Sequence, residues 1–218
     1  MEKIKIRKLT KSKIYLYATL FLLSTITIYT LITMDFGNVN IAEAADHFFK
    51  DLKTIFFSPK LSDRYTYSQV FQSLMVTIAL AALTTIIGSF IALFLSFFAA
   101  QNLSSKYVSK IIKLGITFFR AIPTILWVMV FSVVANVGVE AAIIGMTFHS
   151  VAYLVKAYSE SIEEIDNGII EALRATGASF WKVVFQAVLP STSTSLLSWT
   201  FIRFEINFTN AVLVGAAA

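Results

Sequence analysis

The chain has 218 residues, 57% of them hydrophobic and only 14% charged, with a mean hydropathy of +0.74. That balance leaves too little polar surface for a water-soluble domain of this size and points to lipid as the solvent. The absence of cysteine excludes disulfides, thiolate metal sites and cysteine nucleophiles. His47 and His149, the two histidines, leave almost nothing for a metal cluster, and the net charge of +5 does not indicate nucleic acid, because the basic residues sit at the ends of apolar segments.

Crossing a hydrocarbon core takes about 20 mostly apolar residues in a helix. The first such stretch is Ile14 to Thr33, preceded by Lys3, Lys5, Arg7, Lys8, Lys11 and Lys13. Its apolar run is too long for a signal peptide, and no small-x-small site follows at Met34-Asp35-Phe36, so it reads as a retained span. The basic residues place 1–13 in the cytoplasm. Residues 34–69 then read as an outer-face segment. There Lys50, Lys53, Lys60 and Arg64 are outnumbered by Asp35, Glu43, Asp46, Asp51 and Asp63. Within it, Ile41 to Phe57 is expected as a short amphipathic helix lying on the membrane.

A second span runs from Val70 to Ala100, long enough to tilt or to extend beyond the bilayer. The loop after it carries Lys106, Lys110 and Lys113, which places it inside. A third span, Leu114 to Val137, contains Pro123 and should kink there. Asn136-Val137-Gly138 makes a tight turn into a fourth span, Val139 to Tyr158. Residues 159–182 form a polar inner loop, a fifth span covers Val183 to Ile206, and a sixth begins at Asn207. Only about a dozen residues follow, ending at Ala216-Ala217-Ala218, too few to cross a bilayer. The tail therefore reads as the start of a truncated helix rather than as a re-entrant one.

The most informative stretch is Glu171-Ala-Leu-Arg-Ala-Thr-Gly177, followed after nine residues by Ala187-Val188-Leu189-Pro190. Asp166, Asn167 and Gly168 supply a turn and capping groups. Glu171 is expected in the first turn of a short helix, where its charge complements the helix dipole. Ile162, Ile165, Ile169 and Leu173 recur at spacings of three and four, although the turn at Asn167-Gly168 can break that stripe in two. Ala172, Ala175 and Ala178 keep one surface slim. Gly177 is placed to end the helix in a left-handed conformation. Ser179 can cap the next helix, and Phe180 and Trp181 suit a membrane interface. The product is a short helix–turn–helix with a shallow surface that can seat in a groove on a soluble partner.

These residues carry a resemblance. Glu171, Ala172, Gly177, Leu189 and Pro190 match, with spacings intact, the signature loop of ABC importer permeases, Glu-Ala-Ala, three residues, Gly, nine residues, Ile, one residue, Leu-Pro. Leu173 replaces the family's Ala and Ala187 its Ile. A narrower resemblance, to phosphonate permeases, rests on Ala99-Ala-Gln-Asn-Leu103, Arg120-Ala-Ile-Pro-Thr-Ile-Leu-Trp127, His149 to Lys156, Glu171 to Pro190 and Arg203-Phe-Glu-Ile-Asn207. Those proteins continue past the position of Gly215 with a glycine-rich segment and a final helix, and an arginine often stands where this chain has Thr209.

The resemblance implies an all-α integral membrane fold, a polytopic bundle of the type I ABC importer permease kind. It would have about five full transmembrane helices plus a truncated sixth, with residues 70–218 as permease core and 159–182 as cytoplasmic coupling loop. It implies a bacterial inner-membrane importer for phosphonate or a related phosphorus oxyanion. Two permease chains, expected as a homodimer, would form the pathway. Cytoplasmic ATPase subunits would bind the loop through Glu171, Ala172, Ala175, Gly177, Leu189 and Pro190, and an outer-face solute-binding protein would deliver the ligand. The chain has no Gly-x4-Gly-Lys-Ser/Thr run, so ATP belongs to the partner and no cofactor is expected on this chain.

Ionisable groups at membrane depth usually face a cavity or a partner. Arg203 lies about 20 Å beyond Pro190 along a helix, in the outer half of the bilayer. Asn207 is one turn further on the same face, whereas Glu205 points elsewhere. An arginine fork suits a phosphonate anion, so Arg203 and Asn207 are candidates to line the anion path. The alternative is an ion pair from Arg203 to Glu140 or to Glu205 of the partner subunit. Glu205, Arg120 and His149 complete the candidate pathway set. Arg120 also reads as snorkelling to the inner interface, and His149 as a buried histidine bonded to a neighbouring helix. Lys156 and Tyr158 read as inner-edge anchors, and Ser191 to Ser195 as hydroxyls satisfying backbone near Pro190. A secondary transporter would show internal repeats, and a membrane enzyme a cluster of catalytic groups. The sequence shows neither.

Overall fold

The computed structural model describes residues 10–34, 40–60, 64–135 and 138–217. Lys3, Lys5, Arg7, Lys8, Asp35, Phe36, Asp63, Ala218 and the first two residues of the expected 136–138 turn lie outside them. Every regular element among the described residues is helical, and the chain divides into two units, residues 1–62 and 63–218.

In the first unit, α1 (Lys11–Thr33) is exposed along its length and spans about 34 Å at 1.5 Å per residue. Its hydroxyls turn inward on the helix itself. Thr25, Thr27, Thr30 and Thr33 donate to the carbonyls of Phe21, Leu23, Ile26 and Tyr29 at 2.8–2.9 Å, which satisfies them without water, as hydrocarbon requires. Helix α2 (Ile41–Phe57) is the amphipathic element expected from the sequence. Asn40 caps it by accepting from the Ala42 N–H at 3.1 Å. Phe48, Phe49, Phe56 and Phe57 are exposed, and Lys50 pairs with Asp46 at 2.7 Å one turn away.

The second unit is built around α6 (Val139–Glu163), which touches α3 (Tyr67–Ala99), α4 (Lys106–Ala121), α5 (Thr124–Ala135) and α9 (Leu189–Ala217). A capping box starts α3. Thr66 accepts from the Gln69 N–H, and the Gln69 side chain accepts from the Thr66 N–H at 2.8 Å. Ala81, Thr84, Thr85, Gly88, Ala92, Ser96 and Ala99 form its buried seam. In lipid the contact between helices rests on such small residues, because apolar burial alone gives no preference for protein over acyl chain. At Gly88 a Cβ would come within 2.8 Å of Ser150 Cβ, and at Gly145 within 2.6 Å of the Val128 backbone nitrogen. These two glycines let α3 and α5 press against α6.

The expected third span is two helices. α4 and α5 meet at 88°, a far sharper turn than the kink anticipated at Pro123. Pro123 has no N–H and pushes the preceding residue out of the helical region, and Ile122 is accordingly extended at φ −96°, ψ 124°. Trp127 staples the bend, donating from Nε1 to the Phe119 carbonyl at 3.1 Å. Its ring packs with Phe119, Phe131 and Phe148 at centroid distances of 5.2–6.2 Å.

The expected boundary at Asn207 is absent. Helix α9 runs unbroken from Leu189 to Ala217, because Asn207 is not a turn residue but a buried one. The expected start at Val183 falls within helical backbone that runs from Phe180 into α9. A short α8 (Phe180–Val183) leads into a π-helical turn, Val184–Val188, in which the Leu189 N–H reaches back to the Val184 carbonyl. This wider turn makes room for Pro190, which lacks an N–H and would crowd a tighter ladder. Among the described residues three helices are long and apolar enough to cross a membrane, α1, α3 and α6, with α4–α5 a fourth if the bent pair is one span. The 29-residue α9 has the length, but Arg203, Glu205 and its Ser, Thr and Asn residues lower its apolar content.

Candidate functional site

Between α6 and α9 the chain makes α7 (Asn167–Ala175) and α8. The Asp166 side chain caps α7, accepting from the Gly168 N–H at 2.9 Å. Because the helix begins at Asn167, Glu171 falls in its second turn and not its first. Asp166, rather than Glu171, is the acidic group at the positive end of the helix dipole. The apolar stripe does break. Ile162 lies in the last turn of α6 and Ile165 just past it, and Ile170 rather than Ile169 continues the core with Phe97, Leu103, Val183, Val184 and Val188. Ile169 is 46% exposed.

The opposite face of α7 presents Glu171, Ala172 and Ala175, all exposed. Gly177 ends the helix at φ +78°, a left-handed conformation that favours glycine. Its N–H meets the Arg174 carbonyl at 2.9 Å, and that of Ala178 meets the Leu173 carbonyl at 3.2 Å. Ser179 stands at the N-cap of α8 but makes no side-chain cap bond. Leu189 is half-buried and Pro190 exposed.

The sequence reading missed what holds α7 in place. Arg174 Nη2 donates to the Asn102 and Leu103 carbonyls, each at 3.2 Å. Asn102 donates to the Ile162 carbonyl at 2.8 Å. Glu163 accepts from the Gln101 N–H and from Lys113, both at 2.7 Å. The turn joining α3 to α4 is thereby fastened to the end of α6 and to α7. Ala99–Leu103 and Glu171–Pro190 both carried the family resemblance, but no spacing rule pairs segments some 70 residues apart.

A second constellation lies at the middle of α6. Arg203 is 1% exposed. Its Nε donates to Ser150 Oγ at 3.0 Å, its guanidinium lies 5.3 Å from the centroid of the Tyr153 ring, and its Nη2 has no hydrogen-bond partner. Asn207, wholly buried, shares the Arg203 face as the one-turn spacing implies. Its Nδ2 donates to Thr85 Oγ1 and Ser150 Oγ, each at 2.9 Å, tying α9 to α3 and α6. Glu205 is exposed on another face. Among the described residues of this one chain, Arg203 forms no ion pair with Glu140 or any other carboxylate.

Arg120 is exposed and reaches the same aromatic ring as Arg203. Its guanidinium lies 5.9 Å from the same Tyr153 ring centroid. His149, one turn before Tyr153, is half-buried beside the Phe119 and Ile122 carbonyls at the bend, within electrostatic range of both arginines. Its Nδ1 has no hydrogen-bond partner. Tyr158, expected as an interface anchor, is 2% exposed and hydrogen-bonded to Thr200 of α9 at 2.6 Å. Lys156 is exposed and pairs with Glu160 at 3.4 Å. In the hydroxyl run, Thr192 donates to the Val188 carbonyl at 2.8 Å. Among the described residues no cluster of His, Asp or Glu could hold a metal ion.

Residues 92–218 match the profile of the binding-protein-dependent transport system inner membrane components. The chain belongs to that family. It is 27% identical over 190 residues to the phosphate-import permease protein PhnE of Mycolicibacterium smegmatis, an alignment covering 87% of this chain and 35% of that one. It is 27% identical over 150 residues to the phosphite transport system permease protein PtxC of Stutzerimonas stutzeri, covering 68% and 54%. The chain thus spans about half the length, or less, of these relatives. The fold is shared with a chain of the inward-facing MetNI methionine ABC transporter at TM-score 0.63 and 20% identity, covering 71% of this chain and 78% of that one. A chain of an amino acid ABC transporter follows it at TM-score 0.56 and 17% identity, covering 72% and 78%. The all-helical, multi-pass membrane fold of a type I importer permease is therefore the fold of this family member.

Proposed function

We propose that this chain is the membrane-spanning permease subunit of an ATP-driven importer that carries phosphonate, or a related phosphorus oxyanion, into the cell. The observation that carries the reading is α7. It offers a slim exposed face of Glu171, Ala172 and Ala175, ends in left-handed Gly177, and is bolted from below through Arg174. A surface of that shape suits a groove on a soluble ATPase. ATP is bound and hydrolysed there, on a separate chain, and this chain supplies the pathway.

The arrangement explains how a push on α7 travels. Ile170 and Leu173 seat α7 on the core formed with Phe97, Val184 and Val188. Arg174 ties it to the α3–α4 turn, and Glu163 ties that turn to α6. A displacement of α7 therefore moves α3, α4, α6 and the start of α9 together rather than bending one loop. Asn207, Ser150 and Thr85 lock α9, α6 and α3 to one another, so Asn207 serves the bundle's integrity and Arg203 the anion. Lys106, Lys110 and Lys113 of α4 favour a cytoplasmic position for the α7 face. A second copy of this chain completes the pathway, and an outer-face binding protein delivers the ligand. The names of the permeases from M. smegmatis and S. stutzeri, phosphate-import and phosphite transport, support a phosphorus oxyanion as cargo.

The test is reconstitution of the permease with its ATPase and binding protein in vesicles, followed by uptake of labelled methylphosphonate, phosphite and phosphate. ATP-dependent accumulation of at least one of them is expected. No accumulation of any of the three contradicts the reading.

A further inference from the structure

We infer that Arg203, Arg120 and Tyr153 form a two-arginine site for a tetrahedral oxyanion inside the permease. Arg203 is its fixed arm, and Arg120 is an arm carried on the α4–α5 bend. The inference rests on the importer reading above and assigns the residues that hold the cargo between its two sides.

Arg203 is the part that cannot move far. Ser150 Oγ accepts both from its Nε at 3.0 Å and from Asn207 Nδ2 at 2.9 Å, while donating to the Met146 carbonyl at 2.7 Å. That hydroxyl is saturated and the guanidinium is anchored through it. A guanidinium buried at this depth is costly unless an anion or a set of acceptors meets it. Here one acceptor is present, no carboxylate pairs with it among the described residues, and Nη2 remains without a partner.

Tyr153 makes this tolerable without using up the donors. An aromatic face attracts a guanidinium through its quadrupole and leaves the N–H groups at the guanidinium edge unspent. A carboxylate would have consumed them. Both guanidiniums come to this one ring, at 5.3 and 5.9 Å, and Trp199 steadies the ring edge-on at 6.3 Å. The free Nη2 of Arg203 and the Arg120 guanidinium can share the several oxygens of a tetrahedral anion.

Arg120 differs from Arg203 in its mount. It is exposed, lies in the last turn of α4, and precedes the 88° break at Ile122-Pro123 by two residues. Any change in that bend carries the Arg120 guanidinium toward or away from Tyr153, while Arg203 stays with α9 and α6. Opening the bend would separate the two forks and lower their joint hold on the anion. Tyr153 stands ten residues before the end of α6, about 15 Å along the helix axis, so the site lies well below headgroup level.

The complete permease, ATPase and binding-protein complex in phosphatidylcholine vesicles, whose headgroups carry no net charge, tests this. The readout is labelled methylphosphonate accumulated per ATP hydrolysed, with loaded binding protein at saturation. Arg120→Gln and Tyr153→Leu are expected to lower that ratio about tenfold or more, the effect of losing a charge-assisted contact. Arg120→Lys and Tyr153→Phe, which keep the charge and the ring, are expected to recover most of it. Ratios equal to wild type in Arg120→Gln and Tyr153→Leu overturn the inference, as does a parallel fall of uptake and ATP hydrolysis that leaves the ratio unchanged. A wild-type complex that accumulates neither methylphosphonate, phosphite nor phosphate overturns the importer reading itself.

Discussion

Arg174 Nη2 donates to the carbonyl oxygen of Leu103 at 3.2 Å, fastening α7 to the turn between α3 and α4. The same nitrogen reaches the Asn102 carbonyl at 3.2 Å, and Asn102 in turn donates to the Ile162 carbonyl at the end of α6. Three segments distant in sequence are thus joined beneath one exposed helical face. The docking role proposed for that face requires such backing.

Replacing Arg174 with Ala removes two bonds to backbone carbonyls from an exposed side chain. The loss of stability is about 1 kcal/mol or less, so the protein remains folded while α7 loosens. Amide hydrogen exchange over residues 167–175 is expected to quicken about fivefold, with exchange in α3 and α6 unchanged. Unaltered exchange in α7 would show that the apolar contacts of Ile170 and Leu173 hold it unaided.

Asn207 should behave as a bundle residue. Asn207→Leu keeps the volume but breaks the links to Thr85 and Ser150, at a cost of about 1 kcal/mol, typical of polar contacts between membrane helices. A lower thermal midpoint in detergent is expected, with anion transport per folded complex retained. A normal midpoint with transport abolished would return Asn207 to the pathway itself.

Much of this was legible in the sequence, for reasons that show where such reading stops. The helical membrane fold, the amphipathic Ile41–Phe57 helix, the break at Pro123 and left-handed Gly177 all follow from local chemistry. The 88° size of the bend does not, because it depends on Trp127 packing against Phe119 and Phe148. Asn207 was misread as a helix start because a polar residue in an apolar run looks like a boundary when its partners on α3 and α6 are out of view. Tyr153 escaped notice for the same reason. An aromatic at mid-helix is ordinary until two guanidiniums from other helices arrive at its ring.

The two glycines of similar appearance on neighbouring helices should answer oppositely. At Gly145 a Cβ would lie 2.6–2.9 Å from backbone atoms of Val128 and Trp127, whereas at Gly115 it meets nothing within 4 Å. Gly145→Ala is expected to destabilise by about 1–3 kcal/mol through overpacking. Gly115→Ala should be neutral, or stabilising by up to about 1 kcal/mol through helix propensity. Thermal unfolding of the two variants in one detergent checks the pair, and equal midpoints would contradict the close α5–α6 approach.

The most direct test of the central claim is co-purification of this permease with its ATPase subunit in detergent. Wild type is compared with a variant combining Glu171→Arg and Gly177→Val. Valine at φ +78° is strained by about 1–2 kcal/mol and would distort the end of α7, while the arginine reverses charge on its exposed face. The ATPase should be retained by wild type and lost from the variant, with both proteins inserted and monodisperse. Equal retention would place the docking surface elsewhere and contradict the role assigned to α7.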